Sequence, residues 1–182
     1  MVGIRDPQYP NREVSALASL VIVDHTGKIQ YQSLVHVPTD QVVNWRTSKS
    51  GIAPGDLDNA PSLENVQEEV KRILKSKILV GHSVWNDLSA IEIVHPKKDV
   101  RDTALYKPLR LHGFAQYRYP SLVRMTMEVL NRKIQSGKHD PVEDARATMD
   151  IFLTVREEYE KALSKGVKVH AKVMNGYEKW YS

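Results

Sequence analysis

Two β-rich runs joined by a four-residue turn constrain this chain more than any other feature. Residues 15–24 (SALASLVIVD) end in β-branched side chains, and residues 29–38 (IQYQSLVHVP) alternate at Ile29, Tyr31, Ser33, Val35 and Val37. His25-Thr26-Gly27-Lys28 between them is a short glycine-containing turn. Branched side chains suit a pleated surface and alternation gives a strand one inward face, so the pair predicts an antiparallel hairpin. After the loop-rich stretch 39–61 the period changes. Leu63, Val66, Val70, Ile73 and Leu74 recur at helical spacing behind Ser62, a helix-capping residue. Residues 77–82 (KILVGH) predict a short buried strand running straight into a helix that starts near Ser83. A further strand is expected within 99–105, then an irregular basic stretch over 107–120 and a helix from Ser121 to about Asn131. The last long helix opens at Asp140, with Pro141 first, Glu143 third, and an end near Lys165. Strands interleaved with helices imply an α/β fold, a mixed sheet flanked by helices.

The 182 residues fit one domain, expected over 1–165, followed by a basic C-terminal tail over 166–182. The absence of cysteine excludes disulfides, cysteine-based zinc sites and thiol nucleophiles. No apolar run approaches the roughly 18 residues of a membrane span, and the first residues carry no apolar signal core. The expectation is a soluble intracellular protein with no membrane partner. A formal charge of +4 suits an anionic partner.

Three segments could carry chemistry. In Lys138-His139-Asp140-Pro141-Val142-Glu143-Asp144 a histidine precedes a helix and Asp144 lies in its first turn. A carboxylate there can lean towards a divalent ion, or simply satisfy free amides and the helix dipole. In Gly81-His82-Ser83-Val84-Trp85-Asn86-Asp87, Asp87 sits one turn into a helix at the carboxyl edge of a strand, where ligands of α/β sheets bind. It reads equally as a solvated helix-start carboxylate, and His82 as a packed strand-end histidine. Asp102, at a strand end, is open in the same way. Taken together, Asp87, Asp144 and His139 form a set suited to phosphodiester hydrolysis. Carboxylates hold divalent ions, and a histidine titrating near neutrality takes a proton from water.

The order and spacing of these and other stretches resemble the RNA exonuclease 4 branch of the DEDDh 3′→5′ exonucleases. The matching stretches are Met1-Val2-Gly3, Val14-Ser15-Ala16-Leu17-Ala18, Trp45-Arg46-Thr47, Ser50-Gly51-Ile52 and Ile78-Leu79-Val80-Gly81-His82 with Asn86-Asp87-Leu88. They continue in His95-Pro96-Lys97-Lys98, Arg101-Asp102-Thr103, Tyr106-Lys107-Pro108 and His139 with Glu143-Asp144-Ala145. The resemblance implies a ribonuclease H-like fold, two divalent ions (Mg²⁺ or Mn²⁺), Asp87 and Asp144 as metal ligands and His139 as general base. It implies RNA as substrate, single-stranded DNA as a second class, and ribosomal RNA processing in the nucleus or nucleolus. In the family an Asp-x-Glu pair on a central first strand stands immediately before Met-Val-Gly. No Asp-x-Glu occurs in these 182 residues, so the expectation is a sheet lacking that strand, with weak or absent turnover. Glu13 matches a different family position, ahead of Ser-Ala-Leu. The alternative is a non-catalytic module of the same fold that binds nucleic acid or protein.

Residues expected to meet the substrate are His82, Asn86, Tyr106, Lys107 and Arg118. The stretch holding the last three also contains Arg110, His112, Phe114, Tyr117 and Tyr119, a mixture that can stack bases and neutralise phosphates or form a solvated loop. Lys168, Lys172, Tyr177, Lys179, Trp180 and Tyr181 offer the same choice in the tail.

Overall fold

The first 44 residues hold more strands than their alternation predicts. They are β1 (Val2–Arg5), β2 (Glu13–Ala16), β3 (Ser19–Val23), β4 (Ile29–Leu34) and β5 (Val42–Asn44). The 15–24 run is therefore two strands. It breaks at Leu17-Ala18, both buried. Its second half pairs antiparallel with β4, Ser19 opposite Leu34 and Val23 opposite Ile29, as the hairpin pattern predicts. The turn works because Gly27 takes φ 79°, which favours glycine, and the Asp24 carboxylate accepts from the amides of Thr26 and Lys28.

The first half, β2, pairs instead with β1, and β1 pairs on its other edge with β5, all antiparallel. The Glu13 side chain lies over Gly3 of β1, in the space that a Cβ there would enter. Two helices follow, α1 (Thr47–Ser50) and α2 (Leu63–Leu74). Ser62 Oγ caps α2 by accepting from Asn65 N at 3.3 Å, and α2 buries Val66 and Val70. Val2, Ala18, Val37, Ile52 and Leu57 form the core beside the three-stranded sheet.

The computed structural model describes residues 1–9, 11–110, 119–137 and 139–182. They divide into two compact units: Met1–Lys75 with Gln135–Glu143, and Ser76–Ile134 with Asp144–Ser182. The second unit contains β6 (Leu79–Gly81), α3 (Trp85–Ile91), β7 (Val100–Asp102), α4 (Lys107–Arg110), α5 (Leu122–Leu130) and nearly all of α6 (Pro141–Ser164). Strands β6 and β7 run parallel, Leu79 beside Val100 and Gly81 beside Asp102. Among the described residues the strands thus form three separate sheets, of three, two and two strands, mixed in direction.

Both predicted helix starts in the second half are present. Ser121 Oγ accepts from Arg124 N at 3.3 Å, and Asp140 Oδ1 accepts from Val142 N at 2.9 Å. Glu143 does not close a reciprocal box with Asp140; its carboxylate accepts from Gln135 N at 3.0 Å and pins the preceding loop. Helix α6 buries Ile151, Phe152 and Tyr159 with Tyr106, Leu109, Met125 and Val169. Among the described residues no helix is long and apolar enough to cross a membrane.

The residues on both sides of 165/166 lie in the second unit. Ala171 N donates to Leu105 O at 2.8 Å, Lys107 N to Val169 O at 2.9 Å and Ser182 N to His95 O at 3.2 Å. These are isolated bridges with one 3₁₀ turn (Glu178–Trp180), so the segment carries no period that composition could reveal.

Candidate active site

The site begins where β6 turns into α3. A Cβ on Gly81 would lie 2.8 Å from Val84 Cγ2, so only glycine lets the strand pass this close to the helix entry. Ser83, at φ 60°, turns the chain. Asp102, at the end of β7, is 1% exposed. Its Oδ1 accepts from Ser83 N at 3.0 Å and Ala104 N at 2.9 Å, and its Oδ2 from Val84 N at 2.9 Å. One buried carboxylate thereby holds the entry to α3 to the neighbouring strand, and α3 carries Asp87 in its first turn.

Electrostatics make the pair unusual. Burial pushes the Asp102 carboxyl up to about 6, although its backbone donors pull it down. The Asp87 carboxyl is pushed up to about 7, first by the density of surrounding protein and then by the charge of Asp102. Asp87 is nonetheless exposed at the surface, so water tempers the crowding; repulsion from Asp102 acts in the same upward direction. Two carboxyls that resist joint ionisation, one of them open to solvent, gain from a cation placed at the open one. In this respect Asp87 fits a divalent ion. Among the described residues no group of three or more histidines and carboxylates could hold a metal by itself. Glu13 is committed elsewhere, with Oε1 2.6 Å from Arg46 Nη2, while Arg46 Nη1 donates to Ser15 Oγ at 2.8 Å.

Asp144 lies half-buried near the start of α6, in the same unit as Asp87. His139 is half-buried and belongs to the first unit, where its backbone N donates to Lys49 O at 3.0 Å.

The residues expected at the substrate separate into different roles. His82 is an anchor. Its Nε2 donates to Pro120 O at 2.8 Å, and its Nδ1 lies 2.9 Å from the Thr103 hydroxyl oxygen, in a ring whose charged form burial disfavours. Both ring nitrogens thus face protein groups. Tyr106 is 3% exposed and packs edge-on to Tyr159 with centroids 4.1 Å apart. An aromatic within a basic stretch suggested a stacking platform, whereas α6 supplies it with a core partner. Asn86 and Lys107 are exposed, Lys107 Nζ donating to Lys168 O at 3.1 Å. Arg118 lies outside the described residues. Tyr119 tilts against Trp85 at 4.8 Å, donates its hydroxyl to Lys172 O at 2.7 Å, and lies under the Arg110 guanidinium at 5.4 Å. The residue whose role sequence reasoning missed is Asp102. The only local signal was a carboxylate at a strand end followed by threonine.

Residues 1–152 match the family model described as exonuclease, RNase T. The chain is 43% identical over 152 residues to RNA exonuclease 4 of Candida glabrata, covering 84% of this chain and 57% of that protein. It is 41% identical over 152 residues to RNA exonuclease 4 of Saccharomyces cerevisiae, covering 84% and 52%. The chain spans about half the length of these curated relatives. A solved structure of the Saccharomyces cerevisiae Pan2 pseudoubiquitin hydrolase–RNA exonuclease module in complex with A7 RNA is similar at TM-score 0.70 and 25% identity, over 92% of this chain and 31% of that one. The Neurospora crassa Pan2 catalytic unit shares the fold at TM-score 0.67 and 23% identity, over 90% and 26%. With a ribonuclease H-like fold and a family match across most of its length, this chain belongs to the RNase T exonuclease family.

Proposed function

We propose that the chain is the body of a 3′→5′ exonuclease domain that hydrolyses RNA, with single-stranded DNA as a second substrate class. The observation that carries this reading is the solvent-open Asp87, on a helix start fixed by buried Asp102 and electrostatically short of a cation. Asp87 and Asp144 would hold divalent metal, Mg²⁺ or Mn²⁺, completed in a two-ion site by substrate phosphate, water and an Asp-x-Glu pair. Bound divalent ions supply charge stabilisation to an in-line displacement at phosphorus. His139 takes the proton from the attacking water as the water oxygen bonds to phosphorus, the bond from phosphorus to the 3′ oxygen breaks, and that oxygen takes a proton from solvent, giving a nucleoside 5′-monophosphate and an RNA one residue shorter with a new 3′ hydroxyl. Lys107 and Arg110 neutralise phosphates, and Asn86 meets the terminal nucleotide. Ribosomal RNA processing in the nucleus or nucleolus is the cellular setting we propose, on family resemblance.

A second reading is a binding module of the same fold without turnover. The test is a 5′-labelled RNA incubated with Mg²⁺ or Mn²⁺ and either this chain or the same residues preceded by a strand ending in Asp-x-Glu. Stepwise shortening from the 3′ end, lost in Asp87→Ala, supports the exonuclease. RNA binding without cleavage in both proteins supports the binding module.

A further inference from the structure

We propose that the C-terminal segment 166–182 is a working part of this site, with Tyr181 a positioning residue that sets Asp87 through Trp85 and helix α3. The proposal rests on the exonuclease reading only for what Asp87 does.

Helix α3 has seven residues, too few to hold its own conformation in water, so its placement comes from what it packs against. It buries Trp85, Leu88 and Ile91, and Trp85 stands two residues before Asp87. Trp85 is 1% exposed and forms one cluster with Ala104 and Leu105, against which Tyr119, Ala171, Val173, Tyr177 and Tyr181 pack. Four of these five packed residues come from the C-terminal segment. The 3₁₀ turn at Glu178–Trp180 contacts α3 directly.

The segment is held at both ends of this contact. His170 bridges to Tyr106 and its ring meets the Tyr159 hydroxyl. Beyond the turn, His95 N donates to Trp180 O at 3.1 Å and Lys97 N to Ser182 O at 2.8 Å. Asp102 therefore fixes the entry of α3, and the segment braces its apolar side.

The Tyr181 hydroxyl is buried without a hydrogen-bond partner among the described groups, as is the Trp85 indole N–H. A buried polar group left unpaired is costly and persists where surrounding packing fixes it. The hydroxyl also lies within the fields of Asp102 and Asp87, which together with burial raise it well above the usual tyrosine range. The ring, more than the hydroxyl, is what packs against the cluster that holds Trp85, and that distinction provides the test.

The experiment compares the full chain, preceded by a strand ending in Asp-x-Glu that completes the proposed site, with its Tyr181→Ala and Tyr181→Phe variants, well below each midpoint of thermal unfolding. Mn²⁺ affinity is read by titration calorimetry and α3 stability by amide hydrogen exchange at residues 85–91. Tyr181→Ala should weaken Mn²⁺ binding about tenfold or more, the usual loss when a supporting shell is removed. It should also speed exchange in α3 about tenfold or more relative to α5. Tyr181→Phe should restore both and unfold no earlier than the wild type, because it keeps the ring and deletes an unpaired hydroxyl. A folded Tyr181→Ala protein with wild-type exchange in α3, or with wild-type Mn²⁺ affinity, would overturn the proposal. Failure of the exonuclease reading looks different: Asp87→Ala would then leave Mn²⁺ binding unchanged, while the exchange measurement still decides whether the segment braces α3.

Discussion

Replacing Asp102 with alanine strips three amides of their acceptor, the buried ones of Val84 and Ala104 and the half-buried one of Ser83. An unsatisfied buried donor costs about 1–3 kcal/mol, so the gross loss is on the order of 3–6 kcal/mol after partial relaxation. The variant also loses a buried charge that is itself unfavourable. A carboxyl that moves from 3.8 to about 6 on folding gives stability that is complete below pH 3.8 and lost as pH rises through about 6. The difference between these limits is about 3 kcal/mol. It follows that the penalty for Asp102→Ala is largest in acid, on the order of 3–6 kcal/mol near pH 4, and shrinks to about 0–3 kcal/mol above pH 7. Asp87 in the variant loses the repulsion of Asp102, so its own carboxyl falls back towards the ordinary range. Urea titrations of both proteins at pH 4.5 and 7.5, followed by tryptophan fluorescence, measure the difference. Amide exchange in α3 assigns it to the helix entry, which matters because two compact units need not unfold together. A penalty that grows with pH, or none at either pH, would refute the role given to this carboxylate.

Three further changes test the site and its scaffold, the first two in the protein preceded by an Asp-x-Glu strand. Asp144→Ala should abolish turnover while RNA binding, read by filter retention, largely survives, because binding rests on dispersed phosphate and base contacts. His139→Ala should slow hydrolysis about 10²–10⁴-fold in single-turnover assays, the usual loss for a general base. Gly81→Ala forces a Cβ to within 2.8 Å of Val84 Cγ2 and should cost about 1–3 kcal/mol in urea, with weaker Mn²⁺ binding as α3 shifts.

What could be read from the sequence was what neighbouring residues decide among themselves. Ser62 and Ser121 cap helices because a short hydroxyl side chain reaches an amide three residues on. The β3–β4 hairpin follows from β-branched runs closing on Gly27. Strand β1 was not legible, since four residues with a central glycine are too short to alternate and become a strand only between β2 and β5. The packing of Tyr106 was hidden for the same reason: its partner Tyr159 lies on a helix far along the chain. Asp87 could be singled out by its motif, but not its electrostatics, because the carboxylate that perturbs it stands 15 positions later, on another strand. The C-terminal segment is held by single bridges to Leu105, Lys107 and His95, and such contacts leave no period in a sequence.

The route of the chain has a consequence for how it is made. The first unit consists of Met1–Lys75 and, much later, Gln135–Glu143. As the protein emerges from a ribosome, the early residues can form their hairpins at once but must wait for some sixty residues of the other unit before their last segment arrives. That late segment carries His139, and Glu143 on it fixes Gln135. Closing so large an excursion costs chain entropy that local pairs do not. The nascent first unit therefore spends part of its synthesis without its proposed proton acceptor. A ribosome stalled just short of residue 135 would hold a chain whose sheets are made and whose chemistry is not.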